Sequence, residues 1–267
     1  FILSRMADDG ASYADALAEA QSLGYAERDP TADVEGFDAG AKAAIIATVA
    51  FGVRVVAGDV YHEGISGITV ADIEFAADLQ HCIKLLAVVE RTMASDGGFQ
   101  IGVRVHPTLV PLDHPLASVR GSFNAVFVEG GAAGDLMFYG RGAGGRPTAS
   151  AVLGDLIDAA CNLRQGQAAS IGVLERARIA PIDDVTSAFY LNVEVDDRPG
   201  VLAQVATVFG EHGVSIRSME QEGLGGEARL VFITHAARDR DLRSTLQDLR
   251  SLEAVRSVGS VLRVIGD

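Results

Sequence analysis

The run VEVDDRPGVLAQVATVFGEHGVSIRSMEQEG, residues 193–223, packs a strand, a turn, a helix and the start of another strand into one segment. Leading into it, Phe189, Leu191, Val193 and Val195 alternate with Tyr190, Asn192 and Glu194. That period of two marks a half-buried strand. Asp197-Arg198-Pro199-Gly200 breaks the strand and opens a helix, with Val201, Leu202, Val205, Val208 and Phe209 on one face and Gly213 at its end. Val214, Ile216 and Met219 lead a second strand. A Gly225-Gly226 turn brings in a third at 230–234; Leu242, Leu246 and Leu249 mark a second helix, and 255–265 reads as a fourth strand.

The order is βαββαβ, the ferredoxin-like motif, over residues 188–267. Residues 176–187, with Pro181 and two aspartates, read as a linker. Residues 1–175 have a different texture. Ser12 can cap a helix carrying Tyr13, Ala16, Leu17, Ala20 and Leu23, which Gly24 ends. Residues 39–51 form a nearly all-apolar helix, expected to be buried. A turn at 64–67 and a short helix at 70–79 follow, then strands at 83–89, 99–110, 123–129 and 135–139, punctuated by Gly, Asp and Pro. This predicts a mainly antiparallel sheet with helices. The whole chain is of the α+β class. A glycine-rich front at 140–145 leads into a helix at 148–163.

Composition narrows the function. The chain has 267 residues, 48% hydrophobic and 22% charged, with a net charge of −14. Phosphate backbones and anionic membranes demand basic surfaces, so nucleic acid and membrane are not expected partners. No apolar run reaches the roughly 18 residues of a membrane helix. The two cysteines, Cys82 and Cys161, stand far apart in apolar surroundings and make no redox or zinc motif; a reducing cytoplasm fits them. The six histidines lack ligand spacing, so no metal site is expected.

Between the first two helices lies GYAERDPTADVEGFDAGAK, residues 24–42, with carboxylates at Glu27, Asp29, Asp33, Glu35 and Asp38 and a lysine at Lys42. Such a run reads as a solvated face, a divalent-metal loop or a pocket for a small cation. The spacing does not match an EF-hand loop. Asp38 and Lys42 are four apart and share a face of the following helix. The residues around Lys42 are small or apolar, which implies a desolvated lysine in need of a partner or a task.

This stretch closely resembles the substrate motif of homoserine dehydrogenases. FILSRM, residues 1–6, resembles the segment after the family's Gly-Thr-Thr-Asn turn, and GRGAGGRPTASAVLGDL, residues 140–156, resembles its late glycine-rich segment. The resemblance implies reversible reduction of L-aspartate 4-semialdehyde to L-homoserine with NAD(P)H, within threonine and methionine biosynthesis. It implies that Lys42 and Asp38 handle the proton at the substrate oxygen. Glu27 and Asp33 would hold the substrate, chiefly its ammonium group, and Gly142, Gly144 and Gly145 would approach the cofactor, with 140–165 completing the nucleotide-binding side. The family also carries an N-terminal Rossmann domain and an upstream lysine that contacts substrate. The glycine-rich stretch here lies late, after antiparallel strands, so residues 1–267 alone are expected to bind NAD(P) poorly and to catalyse little.

The C-terminal segment resembles an ACT domain, the amino-acid sensor of many biosynthetic enzymes. That implies an effector near Asp197, Gly200, Val201, Leu202, Ser215 and Ile216, between paired ACT domains, with threonine as the expected inhibitor. The family often has asparagine where this chain has Ser215. A homodimer or higher homo-oligomer is expected from the long antiparallel sheet. The rival expectation is a non-catalytic amino-acid-sensing or assembly module.

Overall fold

The computed structural model describes residues 1–94, 96–142, 144–167, 173–223 and 225–265. FILSRM lies in the first helix, α1 (Ile2–Asp9), which Gly10 ends in the left-handed conformation. The Ser12 hydroxyl accepts from the Asp15 N–H and caps α2 (Tyr13–Ser22). The acidic stretch folds into the single turn α3 (Thr31–Val34), then Gly36, then α4 (Phe37–Phe51). After β1 (Tyr61–His62), Thr69 and Asp72 cap each other at the start of α5 (Val70–Asp78).

Strands β2 (His81–Met93) and β3 (Phe99–Pro111) form one unbroken antiparallel ladder, longer than the sequence pattern predicts. With β2 along one edge of β3, the other edge takes three partners in turn. The Ile101 N–H donates to the Arg178 carbonyl and the Ile101 carbonyl accepts from Ala180; β1 pairs in parallel at Arg104 and Val105; the end of the last strand pairs in parallel at Thr108 and Leu109. The expected linker is thus laid against β3 through residues 178–180. Strands β4 (Phe123–Gly130) and β5 (Gly134–Arg141) form a separate two-stranded hairpin, followed by α6 (Gly145–Arg164), which buries none of its residues. Cys161 on α6 is therefore exposed, contrary to the apolar surroundings expected of it.

The remainder is β6 (Thr186–Asp196), α7 (Val201–Glu211), β7 (Ile216–Gly223), β8 (Glu227–Thr234), the two-residue β9 (Ala237–Arg238), α8 (Asp239–Leu249) and β10 (Val255–Val264). The strand order β10-β6-β8-β7 is the ferredoxin-like arrangement. Phe189, Leu191 and Val193 of β6 pack with Phe209, Phe232 and Leu249 on the helix side. The other side is covered too: Tyr190, Val231, Leu262 and Val264 share a core with Met6, Ala16, Ala20, Ile73 and Ala76. So β6, which reads as half-buried by its alternation, is buried on both faces from Ala188 to Val193. Its polar-looking face meets the first part of the chain instead of water. No helix among the described residues is long and apolar enough to cross a membrane.

One ion cluster crosses this contact. Arg263 on β10 donates from Nε and Nη2 to both carboxylate oxygens of Asp239, at 2.8–3.1 Å, and from Nη1 to Glu63 Oε1 at 2.9 Å. The Tyr61 hydroxyl donates to the same Glu63 oxygen at 2.7 Å. Burial works against the Arg263 charge, yet Glu63 and Asp239 outweigh it and its pKa stands above the ordinary value. Burial and the Glu63 hydrogen bond push the Tyr61 hydroxyl up to about 12. Removing one partner of a buried pair strands the other's charge. Arg263→Met is therefore expected to cost about 3–5 kcal/mol in urea unfolding. Asp8→Ala, which removes an exposed ion pair with Arg120, is expected to cost under about 1 kcal/mol in the same measurement.

His106, on β3 close by, is buried, with Nδ1 2.8 Å from the Thr108 hydroxyl. Burial, then the charges of Arg263 and Arg104, hold its pKa well below the ordinary histidine range. Folding therefore keeps it neutral, and the unfolded chain binds the extra proton once pH drops below about 6.5. The native state loses stability on that side. The urea midpoint is expected to fall between pH 7 and pH 5, and His106→Gln to flatten that slope.

Candidate active site

The acidic stretch is shaped by close approaches that only glycine allows. Gly36 has φ 79°, and a Cβ there would run into the Val105 side chain of β3. Gly40, midway between Asp38 and Lys42, lies against the His62 ring, and a Cβ would overlap it. The His62 ring also lies tilted against Phe37, with 4.8 Å between ring centres, and its Nε2 is buried without a partner among the described residues. Gly64 in turn makes room for the Glu35 carboxylate, which accepts from the Ser66 hydroxyl at 2.8 Å. The start of α4 is thereby clamped onto β1 and β3.

On the outer side of that helix, Lys42 Nζ donates to Asp38 Oδ2 at 2.5 Å. The helical pairing expected of them is present, but the desolvated lysine is not: its side chain is 63% exposed. The reason lies in the apolar face. Gly40, Ala43, Ala44 and Ala47 are the buried stripe, whereas Ile45, Ile46 and Val49 point outward together with Phe37. The helix expected to be buried all round is thus buried on one side only, and Lys42 projects from the exposed side.

Glu27 and Asp33 are also exposed, and among the described residues neither carboxylate holds a hydrogen bond or ion pair, with the Asp38–Lys42 pair or anything else. Asp29 and Glu35, to which the family resemblance gives no role, make structural contacts. Asp29 Oδ1 accepts from the Thr31 hydroxyl and N–H, which hold its carboxyl below the usual range. Glu35 ties the 64–66 loop to the acidic stretch. The described residues contain no cluster of His, Cys, Asp or Glu suited to a metal ion.

The glycine-rich segment lies at the start of α6. Gly142 sits beneath the Asn124 side chain, which a Cβ would overlap, and Gly144 takes φ 123°, a conformation reserved for glycine. Gly145 opens the helix, where the first N–H groups lack intrahelical acceptors. The shape fits close approach of a flat or anionic group such as a nicotinamide cofactor. Beside it, outward-facing Val152, Leu153, Leu156 and Ile157 of α6, with Phe138 and Tyr139 of the hairpin, form exposed apolar surface.

In the C-terminal unit, Gly200 caps α7 with φ 92°, Val201 is buried beneath it, Leu202 is partly exposed and Asp197 is exposed. Ser215 immediately precedes β7, which Ile216 begins, beyond the other end of α7. The eleven residues of α7 span roughly 16 Å at 1.5 Å per residue, so one chain does not bring the turn and Ser215 together. The residues that sequence reasoning missed are Tyr61, His62, Glu63, Asp239 and Arg263. Their one visible signal was the glycine spacing at Gly36, Gly40 and Gly64, which marks backbone needing close neighbours.

Comparison with known proteins identifies the family. The homoserine dehydrogenase family model matches residues 1–157, and the ACT domain model matches 189–254. Homoserine dehydrogenase of Corynebacterium glutamicum is 52% identical over all of this chain, and that of Mycobacterium tuberculosis is 51% identical. The chain spans 60% and 62% of the length of these two curated relatives. The crystal structure of a homoserine dehydrogenase from Thiobacillus denitrificans superposes on 99% of the chain and 61% of its own, with TM-score 0.91 and 37% identity. The S. aureus enzyme at pH 7.5 covers 100% of this chain and 62% of its own, with TM-score 0.72 and 30% identity. With a family model over more than half its length and relatives this similar along all of it, the chain belongs to the homoserine dehydrogenase family.

Proposed function

We propose that residues 1–267 supply the substrate-binding, proton-handling and regulatory parts of an NAD(P)-dependent homoserine dehydrogenase, which interconverts L-homoserine and L-aspartate 4-semialdehyde in the cytoplasm. On this reading residues 1–175 hold substrate and dimerise, 176–187 connect, and 188–267 form an ACT domain. The observation that carries it is the Asp38–Lys42 pair, held at 2.5 Å on a helix whose inner side is locked by Gly36 and Gly40.

The substrate is a small amino acid with a permanent ammonium, for which the Glu27 and Asp33 carboxylates, exposed and without a hydrogen bond among the described residues, are the natural clamp. A nicotinamide bound beside Gly142, Gly144 and Gly145 would supply or accept the hydride. Negative charge then develops on the substrate oxygen, where the Lys42 ammonium stabilises it and donates the proton. In the reverse direction Lys42 takes that proton back. Asp38 orients the lysine.

Exposure of the pair bears on how this works. Electrostatic stabilisation of this kind is strong only where water is excluded. The exposed apolar residues of α4, α6 and the hairpin are surfaces on which a nucleotide-binding unit would rest and shut water out. We therefore expect NADPH consumption with L-aspartate 4-semialdehyde from a longer form, extended upstream of Phe1, and little from residues 1–267. In the longer form, Lys42→Ala is expected to lower kcat by about 10²–10⁴-fold, with substrate KM changed less. Full activity in that variant would remove Lys42 from the chemistry.

The effector reading is supported by the exposed turn at Asp197–Gly200 and by the separation of that turn from Ser215. A pair of ACT domains, each giving one end, would assemble a site for threonine. The long edge of β2 gives a further surface for pairing between chains.

A further inference from the structure

A cleft of about 490 Å³ lies where the open face of the ACT sheet leaves the first part of the chain. Gly64, Thr69 and Asp72 form one wall; Asn192, Arg229 and Ser260 form the other. Its size suits a small metabolite. The wall is built with some irregularity: between Val258 and Val261 the β10 register slips against β6, so Gly259 and Ser260 together oppose Asn192. This bulge turns the Ser260 hydroxyl onto Asp72 Oδ2, 2.8 Å away, across the two parts of the chain.

Polar groups around the cleft are unusually unsatisfied. Asn192 is 91% buried, yet its Oδ1 has no partner among the described residues, nor have Arg229 Nε and the Tyr190 hydroxyl close by. Native proteins leave few buried polar atoms unpaired, so two in the lining of one cavity, with the Tyr190 hydroxyl behind it, point to something that binds there. Charges of both signs are in place. Asp72 Oδ1 and Glu63 Oε2 hold no hydrogen bond among the described residues, since both carboxylates use their other oxygen. Arg229 lies over the Phe75 ring at 5.0 Å and makes only long ion pairs, 3.5 Å to Glu194 and 3.9 Å to Glu222. These carboxylates form no metal cluster with other ligands among the described residues.

We propose that this cleft is a binding site for a small zwitterionic α-amino acid, separate from the Asp197–Gly200 turn. The ligand's ammonium meets Asp72 and Glu63, its carboxylate meets Arg229, and its side chain lies toward Gly259 and Asn192. An occupant touches both parts of the chain. It also touches the 63–66 loop, whose Ser66 holds Glu35 just ahead of α4, so occupancy reaches the helix that carries Asp38 and Lys42. The site is thereby suited to tuning activity by amino-acid supply.

Isothermal titration of residues 1–267 with L-threonine, L-methionine and L-isoleucine tests this. Two molecules with half the recognition, 1-amino-2-propanol and 3-hydroxybutyrate, serve as controls. At least one amino acid is expected to bind, with affinity reduced about tenfold or more in Arg229→Gln, and neither control is expected to bind. Gly259→Ala keeps every charged group and places its Cβ about 3.5 Å from the Asn192 amide carbon, so it narrows the cleft without disturbing the ion pairs. It is expected to weaken the same binding, and it carries the test if Arg229→Gln does not fold. Gly200→Ala, at the turn, is expected to leave that binding in place. Unchanged affinity in Arg229→Gln and Gly259→Ala, binding abolished by Gly200→Ala alone, or no heat from any of the three amino acids would overturn the proposal.

Discussion

Arg263 is the residue on which the arrangement of the two parts depends. Its guanidinium is almost fully enclosed, and it meets a carboxylate from each side: Asp239 at the start of α8 and Glu63 beside β1. A charge taken so far out of water is tolerable only because both partners and their hydrogen bonds are in place. The pairing of β10 with β3, two residues long, occurs at Arg263 and Val264 themselves. The sheet of the ACT unit is thereby continued into the sheet of the first part, and Tyr190, Val231 and Leu262 are sealed against α1, α2 and α5. Without that seal, the open face of the ACT sheet would present an apolar patch to water.

The same contact reaches the Asp38–Lys42 pair. Glu63 follows His62 directly, and the His62 ring fills the space that Gly40 leaves on α4. From the buried cation to the Asp38–Lys42 pair there is a continuous run of packed groups: Arg263, Glu63, His62, Gly40. Each step is a hydrogen bond, a peptide link or a van der Waals contact. Packed interiors transmit displacement poorly by bending and well by switching between arrangements. A ligand that shifts β10 or the 63–66 loop therefore has a short route to the helix that carries Asp38 and Lys42. The pair itself is exposed and contributes little to stability, so its reorganisation costs the fold little.

Most of the secondary structure was legible in the residues. Ser12 and Gly213 marked helix ends, and the βαββαβ order of the C-terminal unit was plain from its alternations. The Asp38–Lys42 pair followed from spacing alone. What failed was burial. Tyr190 and Asn192 fall on what reads as a solvent-facing set, and Ile45, Ile46 and Val49 read like core. Each was misjudged because the surface that covers a residue, or leaves it bare, lies far away in sequence. Asp239 and Arg263 were invisible for the same reason: a charge looks solvated until its partner, Glu63, arrives from 200 residues upstream. Gly36, Gly40 and Gly64 were the local trace of those distant contacts.

If the two parts are one folded body, their amides should open together. Native-state hydrogen exchange in rising denaturant measures this directly. Amides of β3 between Arg104 and Leu109, of β6 between Ala188 and Asn192, and of β10 between Val261 and Val264 are expected to merge into a single opening with one free energy and one denaturant slope. Persistent protection of β6 and β10 after β3 has lost its own would show two independent units, with Arg263 holding neither to the other.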